Sequence, residues 1–216
     1  MDIIKIKDRA IEDGSYRTIL FLLFSITVDI IFLIYSILWL LQAQDMIVWY
    51  LGQTGWYATL ITARCIIFAA YEREKRGNRI VDSRILERVT GTFLLIMSGQ
   101  VFAISYMVYS HDLPMNISGV FVILNGLYVI GKLAYSVFSK KKTANKEDAF
   151  KYLKSKQFLS VAENLFLFTL IFCKLIDMFK WREGRMLVLM AFAEGCMAAL
   201  LICRMGTGLL LNKKVS

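Results

Sequence analysis

The chain has 216 residues, 57% hydrophobic and 20% charged, with a formal net charge of +9 and a mean hydropathy of +0.56. A soluble domain rarely carries so much apolar content. The sequence has no Walker A motif, no Gly-rich dinucleotide loop and no nucleic-acid-binding motif, which argues against nucleotide hydrolysis, a bound cofactor and a nucleic-acid partner.

Apolar runs fall near 18–41, 46–70, 91–110, 117–138, 157–179 and 186–211. Each is about 20 residues or longer, enough to cross roughly 30 Å of hydrocarbon. The expected fold is an all-α integral membrane protein, a single six-helix transmembrane bundle over residues 1–216. The first run exceeds a signal-peptide core of about 7–15 residues, and no small-residue cleavage site follows it, so it reads as a retained helix.

Span one aligns Thr18, Ser25, Asp29 and Ser36 on one face, because residues seven or so apart share a helix face. Span two aligns Gln53, Tyr57, Arg64 and Tyr71, and Gly52 and Gly55 could permit local unwinding. Between spans two and three, apolar Ile80, Val81, Ile85, Leu86 and Val89 alternate with Asp82, Arg84, Glu87 and Arg88. That pattern predicts a short helix at 80–89 lying on the membrane surface or on a cytoplasmic partner. Span three is the least polar, with Gln100 its main candidate.

Span four aligns Ser118, Asn125, Lys132 and Ser136, with Gly126 and Gly131 as further points of unwinding. The polybasic stretch 140–156 that follows should attract anionic headgroups. Span five places Glu163, Lys174 and Asp177 on one stripe, the last two close enough to pair at i, i+3. Span six carries Glu194 beside Ala191, Gly195 and Ala198, small residues that admit a close helix neighbour within the chain or across a homo-oligomer contact. Arg204 lies near the inner end, where it can snorkel.

Loop charge sets an orientation. Nineteen Lys and Arg fall in the N-terminal segment, the loops after spans two and four and the tail, against three in the turn 180–185. Both termini are therefore expected in the cytoplasm. Trp39, Trp49, Trp56 and Trp181 sit at the opposite span ends, as interfacial rings would. The texture resembles that of small multi-spanning proteins of bacterial plasma membranes.

Eight ionisable residues within the spans balance in sign: Asp29, Glu163, Asp177 and Glu194 against Arg64, Lys132, Lys174 and Arg204. A charge at such depth costs a few kcal/mol, about 2.5–3.5 on insertion scales, so it faces a partner or water. Asp29 and Glu194 read as lying near the midplane, Arg64, Lys132 and Glu163 in the inner half, and Lys174 and Asp177 near the outer end. These residues and Asn125 line the expected path. The first functional reading is a transporter or pathway for a small solute or ion, with proton coupling as one form of it. The second is a non-catalytic component: a permease subunit of a separate ATPase, a regulator or an immunity protein. A lipid-active enzyme comes third.

No enzyme is expected. The single histidine, His111, is in a loop, the four cysteines lie within spans without C-x-x-C spacing, and scattered carboxylates with one histidine assemble no metal site. The sequon Asn116-Ile117-Ser118 abuts the membrane and reads as accidental.

Overall fold

The computed structural model describes residues 16–42, 47–75, 82–110, 119–139, 147–178 and 185–211. His111, the 116–118 sequon, Trp181, Ile80, Val81 and the basic residues of 140–146 lie outside them. Six helices make up the described chain: α1 (Tyr16–Gln42), α2 (Ile47–Lys75), α3 (Ser83–Ser110), α4 (Gly119–Ser139), α5 (Glu147–Met178) and α6 (Arg185–Leu210).

Four of them, α1, α3, α5 and α6, are long and apolar enough to cross a membrane, which makes this a transmembrane helix protein. The apolar stretch of α4 is shorter, Val122–Gly131. At 29 residues α2 is about 43 Å long, ample for a crossing. Its weaker hydropathy follows from its position: it packs on α1, α3 and α5 and reaches α4 through Tyr57 and Asn125. Its packed face carries Gln53, Tyr57 and Arg64 inward without presenting them to lipid, while Leu51 and Ile66 lie exposed on the other side.

Contacts fix the helix directions. Ser36 meets Gln53 and Asp29 meets Arg64, so α1 and α2 are antiparallel. Trp56 stacks on Phe166 while Arg64 reaches Glu163, so α2 and α5 are also antiparallel. Thr59 meets Gln100 and Gly52 meets Ile104, so α3 is antiparallel to α2; Gly91 meets Gly206 and Ser98 meets Ala199, so α6 is antiparallel to α3, and α1 begins where α6 ends.

The most extensive helix contact is between α3 and α6. Gly91, Ser98 and Ser105 recur every seven residues along α3 and face Gly206, Ala199 and Gly195 in reverse order. A Cβ built on Gly91 would lie 2.8 Å from the Gly206 carbonyl oxygen, and one on Gly206 2.9 Å from that of Gly91. The small-residue stripe on span six therefore packs within the chain. Ser98 donates to the Ala199 carbonyl oxygen at 2.8 Å across this seam. Ser98→Ala is expected to cost about 1 kcal/mol of thermal stability in detergent, the size of one interhelical hydrogen bond.

Three expectations change. Residues 83–89 form no separate surface helix but the first turns of α3, continuous to Ser110. Asp82 caps that helix, its Oδ1 accepting from the Arg84 amide at 2.9 Å, and Leu86 is buried in the bundle. Trp56 is no interfacial anchor: it is fully buried, its ring 4.1 Å from that of Phe166. It lies three residues after Gln53 on the inward face of α2, which outweighs its nearness to the helix end. The glycines of α2 and α4 unwind nothing, for both helices are continuous. Gly52 instead admits Ile104, whose Cγ1 would be 2.8 Å from an added Cβ.

The outer surface is apolar. Leu23, Ile31, Ile34 and Leu38 of α1 and Ile123, Leu127 and Ile130 of α4 are exposed, a surface suited to lipid.

Candidate functional site

Along each helix the polar side chains first satisfy themselves. Thr59 and Ser105 each donate to the carbonyl oxygen four residues earlier, at 2.8 Å, whereas Ser36 and Thr169 each share one hydroxyl proton between that carbonyl, at 2.9 and 3.1 Å, and an acceptor on a neighbouring helix. That bond keeps a hydroxyl satisfied without water and leaves its oxygen free to accept from a neighbouring helix. Gln100 donates to Thr59 Oγ1 at 3.1 Å in this way, and Ser36 reaches Gln53 at 3.4 Å.

At the centre of the bundle lie three charges. Asp29, the middle residue of α1, is 0% exposed; Arg64 of α2 is 3% exposed; Glu163 of α5 is 0% exposed. Arg64 donates through one terminal nitrogen to Asp29 and through the other to Glu163. The nitrogen facing Asp29 is also 3.4 Å from the Ser25 carbonyl oxygen. The planar fork of a guanidinium suits this, because its donors diverge and it stays protonated in a protein. Among the described residues these three are the fully buried members of the Asp, Glu, Lys and Arg set. Fully ionised, the group carries one positive and two negative charges.

Aromatic rings close it in. Phe32 lies 5.6 Å from Tyr57 and 6.1 Å from Tyr128, centroid to centroid, and Phe166 lies 6.4 Å from Tyr57. The Tyr57 hydroxyl donates to Asn125 Oδ1 at 3.4 Å, joining α4 to the same centre. Tyr128 and Phe32 were not singled out in the sequence. Tyr128 is three residues after Asn125, on the same face of α4, so helical spacing was a usable signal.

Of the residues marked in the sequence, Asp29, Arg64, Glu163 and Asn125 come together. Glu194 stands apart, half-buried on α6, where it accepts from Thr169 Oγ1 of α5 at 3.1 Å. Lys174 is half-buried about 16 Å further along α5 than Glu163. The side chains of Lys132 and Asp177 lie outside those described, and with them the Lys174–Asp177 pair. Arg204 is exposed. The four cysteines are free, Cys173 buried and Cys65 exposed. Comparison with protein-family models, with curated proteins and with solved structures found no match.

Proposed function

We propose that the protein is a small multi-pass transporter or ion pathway, proton-coupled, with Asp29, Arg64 and Glu163 at its working centre. The observation that carries this reading is two buried carboxylates sharing one guanidinium. Counting these three residues by themselves, one added proton or monovalent cation neutralises them, and a charge in hydrocarbon is costly. The same event has a mechanical consequence. A proton on Asp29 weakens the α1–α2 tie and leaves Arg64 to Glu163, so uptake of charge loosens α1 against the rest of the bundle. Glu194, which meets Thr169 of α5 from α6, is a third carboxylate that can take part.

In this reading all six helices cross the bacterial plasma membrane, and both chain ends are cytoplasmic. Exposed Arg73, Arg84, Arg88 and Arg204 lie at the end of the bundle where α1 begins, in keeping with that orientation.

The test is proton flux driven by a pH gradient in proteoliposomes. Wild type should conduct, and Asp29→Asn should reduce flux at least about tenfold while remaining folded, the loss of one essential proton carrier. Full flux in Asp29→Asn, or none in folded wild type, removes the triad from a proton path. The second reading, a non-catalytic membrane component, draws on the same geometry: three charges that pair with one another serve equally as glue between α1, α2 and α5. Absent flux with a co-purifying ATPase or other protein would favour it.

A further inference from the structure

Away from the triad, α5 and α6 flank each other at the end where α5 begins and α6 ends. They leave an open groove of about 520 Å³ between them. Phe158, Val161 and Leu165 line one wall, spaced i, i+3, i+7 along α5; Leu201, Arg204 and Gly208 line the other with the same spacing on α6. The groove is apolar throughout except for Arg204. That residue is exposed, and no carboxylate among the described residues is paired with it. It lies six residues before the end of α6, about 9 Å from the helix terminus, within snorkelling reach of the headgroup layer.

We propose that this groove is a binding site for one anionic phospholipid of the surrounding membrane. An acyl chain fills the apolar walls, and the phosphate takes the guanidinium of Arg204 as its counter-ion. The charge complementarity is specific. A guanidinium at the edge of the apolar span gains from an anion, no carboxylate among the described residues is paired with it, and a phosphate diester matches its fork geometry. A zwitterionic lipid brings its own cation to the same phosphate, so an anionic headgroup gains more from the contact. Gly208 leaves room for the chain: an added Cβ would meet nothing within 4 Å, so the groove can be filled by substitution without displacing its neighbours. The site does not depend on the transport reading.

The test is native mass spectrometry of the purified full chain in detergent, titrated with phosphatidylglycerol or phosphatidylcholine of identical acyl chains. Wild type should retain one phosphatidylglycerol in preference to phosphatidylcholine. Arg204→Gln should lower that preference about tenfold, the loss of one charge-assisted contact, and Arg204→Lys should restore part of it. Gly208→Trp should weaken binding of both lipids by filling the groove. If both Arg204→Gln and Gly208→Trp bind phosphatidylglycerol as wild type does, the lipid sits elsewhere and the proposal fails. If wild type is a dimer that Gly208→Trp converts to monomer, a second copy covers the groove and the proposal also fails.

Discussion

Arg64→Gln is expected to be the most damaging single substitution at the bundle centre. It leaves Asp29 and Glu163 facing each other, both fully buried, with their shared cation gone. Removing one partner of a buried ion pair typically costs about 3–5 kcal/mol, a large share of a net stability of about 5–15 kcal/mol. The expected result is a sharp fall in yield and in Tm measured in detergent. Asp29→Asn and Glu163→Gln should each do much less, because Arg64 keeps the other carboxylate and the group becomes neutral overall. The triple neutral variant, Asp29→Asn with Arg64→Gln and Glu163→Gln, should recover most of the stability lost in Arg64→Gln. An Arg64→Gln protein with unchanged Tm would mean that the three charges do not form a closed group. Asp29→Asn is the fair probe of transport in this series, since it removes a titratable site while Arg64 keeps Glu163 as its partner.

The second large effect belongs to the α3–α6 seam. At Gly195 an added Cβ would lie 1.9 Å from Ser105 Oγ and 2.7 Å from Ser105 Cβ. The hydroxyl can rotate, but the Cβ is held by the α3 backbone, so the helices must separate. Gly195→Ala is expected to cost about 1–3 kcal/mol, as overpacking of a tight core does, and Gly195→Leu more. Removing the obstacle should rescue it: Gly195→Ala combined with Ser105→Gly should be more stable than Gly195→Ala alone. Gly91→Ala should resist such rescue, since it meets the Gly206 backbone oxygen and not a side chain. Gly99 is the control on the same helix, with nothing within 4 Å of an added Cβ. Gly99→Ala should be neutral or slightly stabilising, by up to about 1 kcal/mol of helix propensity. Equal Tm values for Gly99→Ala and Gly195→Ala would contradict the seam.

Helical spacing made much of the centre legible. Ser25, Asp29 and Ser36 on α1, and Gln53, Tyr57 and Arg64 on α2, were placed on shared faces, and all six side chains are buried. Spacing could not say which stripes face one another. Asp29 and Glu194 were paired by depth, yet depth is one coordinate, and they belong to different interfaces: Asp29 joins Arg64, while Glu194 joins Thr169. Trp56 misled for a similar reason. Amphipathic rings do gather at span ends, but a ring three residues from an inward glutamine is carried inward too. Apolar residues set among charges at 80–89 suggest a separate surface helix; residues 83–89 instead run on into α3, and among the described residues of that stretch Leu86 is the one buried.

Composition by itself determined that this chain is helical and made for a membrane. Apolar runs of that length in lipid leave the backbone no better way to satisfy its amides than an intrahelical ladder, which is a local property of each segment. Partner choice between helices is not local. That Gly195 serves α3 and no second copy, and that one guanidinium holds carboxylates from α1 and α5, depends on where six rods come to rest together. Only the tertiary structure decided it, because van der Waals fit and charge pairing between distant segments leave no periodic trace in the sequence of either one.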